Sequence, residues 1–262
     1  MVKNYFRILF ELFKEKVRPS VHPQIYKHNK ALFMERKEFY ATFLSANDLV
    51  FDVGANLGNR VEVFLSLKNK VIAVEPQSYC FTFLKIKFGN KISLQKIALG
   101  SKKDKLTMYI NSHSSTISSL SKDWINVMKN TRFKNQEWNE KEEVLVDTLD
   151  ALILQYGTPR FIKIDVEGFE ADVLKGLSKP VPFLSFEYST PEQAERLYEC
   201  LEIINQLDPN YLYNYSAGEK NRFVLDNWLT IADFKNLIAK NMNVLEGFGD
   251  IYARTQESRL NK

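Results

Sequence analysis

The chain has 262 residues, 45% apolar and 26% charged, an ordinary globular composition with length for one large α/β domain or two small ones. Ten glycines and eight prolines argue against long disordered stretches. The net charge of +4 gathers at one end: residues 1–40 hold nine Lys and Arg against four Glu and the rest is near neutral, so no basic stripe of the kind that tracks nucleic acid is present.

The chain opens on "MVKNYFRILFELFKEKVRP", which Arg7, Glu11 and Lys14 interrupt too often for a secretory signal or a membrane span. Helical spacing sets Phe6, Leu9, Phe10 and Phe13 on one face. That face is expected to pack on the domain that follows. Because basic residues flank it, a membrane surface or a second subunit is the alternative. Residues 1–47 read as a helical extension and residues 48–262 as the main domain. Cys80 and Cys200 stand far apart, with no histidine pair nearby, so neither a disulfide nor a zinc site follows. A reducing cytoplasm is the expected compartment, with a peripheral membrane contact through the helix as the alternative.

From residue 49, β-branched runs alternate with helical patterns. "LVFDVG", "VIAVEP", "ISLQKIAL", "FIKIDV" and "PFLSFEYS" read as strands, with helices near 58–68, 78–88, 147–156, 168–177 and 190–206. This order predicts an α/β fold with a doubly wound, mostly parallel sheet. "YLYNYS" and "RFVLDNW" read as further strands, 230–240 as a helix, and "GFGDIYARTQ" as a last, antiparallel strand. Residues 101–147 interrupt the alternation between the third and fourth strands with "KLTMYIN", the loop "SHSSTISSLS" and a charged segment carrying Trp124 and Trp138. Insertions on the carboxyl side of such sheets build substrate sites. His113 in this loop reads as solvated rather than catalytic. Trp124, Trp138, Tyr188 and Tyr215 fit a core better than a platform for a sugar.

Two stretches carry the chemistry. In "VFDVGANLGNR" a strand ends at Asp52 and runs into Gly54-Ala55-Asn56-Leu57-Gly58. Gly54 permits a sharp turn, and Gly58 a close approach by a ligand or by the helix start. Asn56 stands where a dinucleotide fingerprint has its middle glycine, which disfavours NAD. Asp52 can accept from an ammonium or anchor the loop, and Glu75, ending the second strand, can take both hydroxyls of a ribose. In "FIKIDVEGFE" an apolar strand meets Asp165, Glu167 and Glu170 within six residues. Alternation puts Lys163, Asp165 and Glu167 to one side. A neighbouring parallel strand ending at Glu187 would bring that carboxylate to the same sheet edge as Asp165. These oxygens suit Mg²⁺, or one of them suits a general base. With no histidine or third acid placed to finish a metal site, the base is favoured. Glu170 suits the dipole of the helix starting near Gly168, and Glu167 fits either role.

Taken together, "DVGANLG", "AVEPQ", "IALG", "SSL", "DTLD" and "FIKIDVEGFEADVLKG" are similar to the FkbM family of class I S-adenosylmethionine-dependent methyltransferases, over about residues 48–190. The resemblance implies a Rossmann-like, seven-stranded sheet with an antiparallel C-terminal strand. It implies S-adenosyl-L-methionine as cofactor and O-methylation of a hydroxyl on a glycan, lipid or natural-product intermediate. Carried over by position, Gly54, Asn56 and Gly58 would line the methionine part and Asp52 would support their loop. Glu75 would hold the ribose, Ala98 and Leu99 would sit by the adenine, and Ser119 falls at a serine the family often has. Asp165, with Glu187 as partner, would lie at the reacting centre, with Mg²⁺ as a second cofactor if these two are ligands. Two other classes stay open: a Rossmann oxidoreductase using NAD, and a non-catalytic cofactor-binding scaffold of a biosynthetic assembly. The expected partner is a small-molecule or glycan acceptor, not a nucleic acid.

Overall fold

Apolar runs bounded by glycine turns fold into the strands that the alternation predicts. The structure, a computed structural model, describes residues 2–240, 245, 247–258 and 260, without the side chains of residues 2–4, 15, 16, 18 and 19. Two helices come first, α1 (Val2–Val21) and α2 (Pro23–Ala41). Then β1 (Leu49–Val53), α3 (Asn59–Ser66), β2 (Lys70–Val74), α4 (Ser78–Phe88) and β3 (Ser93–Gln95) form one half of the main sheet and its helices. β4 (Ala98–Leu99), β5 (Asp104–Ile110), α5 (Lys122–Asn130) and β6 (Glu140–Asp147) form a separate layer. α6 (Leu149–Tyr156), β7 (Phe161–Ile164), α7 (Glu170–Leu174), β8 (Phe183–Thr190), α8 (Ala194–Leu207), β9 (Leu212–Ala217), α9 (Ile231–Lys240) and β10 (Gly247–Arg254) complete the fold.

Among the described residues the main sheet has seven strands in the order β3-β2-β1-β7-β8-β10-β9. β10 runs antiparallel to both neighbours, and the other pairings are parallel. This is the class I methyltransferase arrangement. The order reverses between β1 and β7, and the crevice at the carboxyl ends of strands around such a switch point is where ligands bind in doubly wound folds.

Two expected strands differ. "ISLQKIAL" divides: Ser93–Gln95 joins the main sheet, while Ala98–Leu99 leaves it and pairs with β6. "RFVLDNW" forms no regular strand. The side chain of Asn214 takes the place of a ladder there, accepting from the Leu225 N–H and donating to the Leu225 carbonyl. The apolar rhythm that suggested a strand comes from Phe223, Leu225 and Trp228 reaching back to the core.

One face of the sheet is aromatic. Tyr40, Phe43, Phe64, Phe161, Phe183 and Tyr252 interlock there, and Phe43 stacks on Phe183 with ring centres 4.4 Å apart. The boundary expected at residue 47 falls just after Phe39, Tyr40, Phe43 and Leu44, which are buried in this cluster. α1 is oriented otherwise than its pattern suggested. Ile8 is buried, while Phe6, Phe10 and Phe13 turn away from the domain. The flanking side chains of Lys3, Lys16 and Arg18 lie outside those described.

Truncating Phe43 opens a void at the junction of α2 with the sheet. Phe43→Ala is expected to lower unfolding free energy by about 3–5 kcal/mol, measured by urea denaturation with unchanged slope. A loss below about 1 kcal/mol would show that this junction contributes little.

Candidate active site

The glycine loop leaves β1 at Asp52 and enters α3. Gly54 adopts φ +85°, and a Cβ there would fall 1.8 Å from the backbone oxygen of Asp165. Glycine is thus required where the tip of β1 passes the tip of β7. Gly58, expected beside the cofactor, faces the other way. Its Cβ position lies 2.4 Å from the Phe88 ring, so this glycine admits α4 against the start of α3 rather than a ligand. The intervening Ala55, Asn56 and Leu57 line a cleft at the switch point.

Glu75 closes one end of this cleft. The Asn56 N–H donates to its Oε2 at 2.7 Å and the Gln77 N–H to its Oε1 at 2.8 Å. Each oxygen keeps acceptor capacity toward the cleft it lines. The insertion caps this end: the Ser115 hydroxyl donates to Asn56 Oδ1, and the Gln77 side chain donates to the Ser115 carbonyl. Ala98, Leu99 and Met108 supply an apolar wall. Ser119 is placed differently from expectation. Its neighbours Ser118 and Leu120 line the cleft, whereas the Ser119 hydroxyl donates to the Glu167 carbonyl at 2.6 Å. It fixes the loop after β7 and is not among the residues that line the cleft.

Beyond β7 the acids of "FIKIDVEGFE" take distinct places. Lys163 is 2% exposed, and its ammonium donates to Asp165 Oδ2 at 2.6 Å. Glu167, at φ +55°, turns its carboxylate toward the cleft. One carboxylate oxygen each from Asp165, Glu167 and Glu187 lie within 4.8 Å of one another. The third acid that spacing did not place is therefore Glu167. Glu170 does more than favour a helix start: its Oε1 accepts the N–H groups of Val166 and Gly168, both at 3.1 Å. His113 is exposed, and Trp124, Tyr188 and Tyr215 are core residues.

The opposite wall holds residues that local pattern did not single out. Arg36 of α2 and Arg60 of α3 both donate to Glu219, at 2.9 and 3.3 Å. All three line the cleft. Arg60 stands two residues past Gly58, a position that could have drawn attention; Arg36 and Glu219 gave no local signal.

Burial dominates the electrostatics. It pushes the Asp52 carboxyl up to about 6, against the pull of Lys163 and Arg60, and Oδ2 of Asp52 has no hydrogen-bond partner. It raises Glu75 and Glu170 to about 7, outweighing their backbone N–H bonds. Burial, then mutual repulsion within the cluster, holds Glu167 and Glu187 well above the carboxylate range. Burial pulls Lys163 down, but Asp165 and Asp250 outweigh it and the ammonium titrates above its ordinary value.

These shifts fix a pH dependence. Asp52, Glu75 and Glu170 bind protons more tightly folded than unfolded, so their contribution is full below about pH 4 and is lost as pH rises to about 7. The unliganded protein is expected to melt at higher temperature near pH 5 than near pH 7.5. A melting temperature that climbs across that window would contradict the assignment.

Comparison with known proteins bears on this site. No curated protein matches the chain. Among solved structures, a precorrin-6y C5,15-methyltransferase from Geobacter metallireducens is 11% identical at TM-score 0.41, covering 83% of this chain and 84% of that one. A TehB-like SAM-dependent methyltransferase from Corynebacterium glutamicum is 6% identical at TM-score 0.41, covering 85% and 88%. Both likenesses are loose. The sequence profile of the methyltransferase FkbM domain matches residues 52–215, well over half of the chain, from the end of β1 to β9. The matched span holds the glycine loop, Glu75 and the three clustered carboxylates, and the chain belongs to the FkbM methyltransferase family.

Proposed function

We propose that this methyltransferase moves the methyl group of S-adenosylmethionine to a hydroxyl of a glycan, lipid or natural-product intermediate. The observation that carries the reading is the meeting of Asp165, Glu167 and Glu187 at the cleft that the glycine loop also lines. An unactivated alcohol is a weak nucleophile, and a nearby carboxylate accepts its proton as the new bond forms.

The residues present suit the cofactor. Glu75 offers acceptors for the ribose diol, and the unpartnered Asp52 Oδ2 offers one for the amino group. Arg60 is a donor for the carboxylate. The methyl donor supplies an electrophilic carbon on a cationic sulfur. Six acidic side chains against three basic ones line the cleft, and because burial and repulsion raise several of them, a cation bound among them would favour their ionised form. The pyrophosphate of NAD would have the opposite effect, which weighs against the oxidoreductase alternative.

In the transfer, the acceptor oxygen bonds to the methyl carbon as the carbon–sulfur bond breaks. The electron pair stays on sulfur, and the hydroxyl proton passes to a carboxylate. Lys163 already occupies Asp165 Oδ2, which leaves Glu187 as the base in this reading. Asp165 and Glu167 then orient the hydroxyl. A second reading makes the three oxygens ligands of Mg²⁺, which would lower the alcohol's pKa. The Lys163 ammonium competes with an ion for Asp165 in that reading.

Two measurements test the assignment. Glu75→Gln removes the negative charge that receives the ribose; affinity for S-adenosylhomocysteine is expected to fall about tenfold by calorimetry, from one lost charge-assisted hydrogen bond. An unchanged Kd in a folded variant would sink the cofactor placement. Glu187→Gln is expected to lower methyl transfer about 10²–10⁴-fold, with the cofactor Kd unchanged. The assay uses labelled methyl donor and a panel of glycans, glycolipids and polyols. Activity lost in chelator and restored by Mg²⁺ would select the metal reading, and indifference to chelator selects the base.

A further inference from the structure

α1 exposes what a surface helix ordinarily buries. Phe6, Phe10 and Phe13 are 65%, 57% and 58% exposed, spaced one and two turns apart on the side facing away from the domain. Tyr5 and Leu9 border them and are also exposed, while Ile8 holds the opposite side against the protein. Val21, Ile25 and Tyr26, at the turn into α2, are exposed as well.

Charge says what covers this face. Residues 1–40 carry nine Lys and Arg against four Glu, while the remainder of the chain is close to neutral. Lys14, paired with Glu11 at 2.9 Å, reaches over the Phe10 ring at 4.5 Å, so its ammonium sits beside the aromatic patch. A second copy of the chain would bring the same positive segment against itself. Among the described residues no helix is long and apolar enough to cross a membrane. Aromatic side chains on one face with basic ones at their margin suit a helix lying in the plane of an anionic bilayer surface.

We infer that α1 docks on an anionic lipid surface, with Phe6, Phe10 and Phe13 in the boundary between headgroups and acyl chains and Lys14 against the lipid phosphates. This inference stands apart from the methyl-transfer chemistry.

The test is sedimentation of the full chain with vesicles of phosphatidylcholine, alone or mixed with phosphatidylglycerol. Binding to the mixed vesicles is expected to exceed binding to the neutral ones by at least about tenfold, from several basic residues each worth about fivefold at such a surface. Added salt should weaken it. The combined variant Phe6→Ser, Phe10→Ser, Phe13→Ser should lose at least about tenfold in binding with its melting temperature unchanged. Phe10→Trp should keep binding and shift its emission to the blue on the mixed vesicles. The inference is overturned if the parent chain stays in the supernatant at every composition, or if the triple variant binds like the parent. It is equally overturned if light scattering shows a dimer that the triple variant abolishes while vesicles are ignored. Should the triple variant fail to fold, the tryptophan decides, and an unshifted emission overturns the inference.

Discussion

A lysine ammonium buried in the middle of a parallel sheet must have an anion, because an unpaired buried charge costs several kcal/mol. Lys163 lies opposite Asp52 in the register of β1 and β7, and its hydrogen bond goes to Asp165 just past the strand end. Much of the site surrounds that pair. The backbone oxygen of Asp165 occupies the space above residue 54, which has to be glycine. The chain then turns through the left-handed Glu167, whose carboxylate meets those of Asp165 and Glu187. The partner of Lys163 thereby touches both the glycine loop and the acid cluster.

The insertion holds this arrangement from above. Ser115 meets Asn56, Ser119 meets the Glu167 carbonyl, and Trp124 packs on Gly168. Glu170 supports the same loop from below through Val166 and Gly168. Both tips of the switch point are therefore pinned by polar contacts whose partners come from other elements. Such satisfied buried networks rigidify a site, while leaving one member unpaired is costly.

What the sequence made legible was local. The strand runs, the Gly54 turn, the acids at the ends of β1, β2 and β7, and the antiparallel last strand all rest on periodicity or on residues within a few positions of each other; Glu187, expected to end its strand, lies inside β8, which pairing with β10 carries on to Thr190. What it concealed depends on contacts across the fold. Arg36 and Glu219 are 183 residues apart, and Arg60 and Glu219 are 159 apart, yet all three share one wall of the cleft. Gly58 and Ser119 sit in recognisable motifs, but only tertiary packing shows that one admits α4 and the other braces a loop. The helical spacing of α1 identified its apolar face without saying which way it points, since Ile8 on the other side seats the helix.

The surplus of acidic side chains in the cleft has a consequence for ligand exchange. S-adenosylmethionine carries a sulfonium charge, and the thioether left after its methyl group has gone does not. Burial and mutual repulsion hold several of these acids above the ordinary carboxylate range, so a cation among them would favour their ionised form and its loss would let them take protons back. A lining of this kind would tell a charged donor from its spent, uncharged product by electrostatics alone.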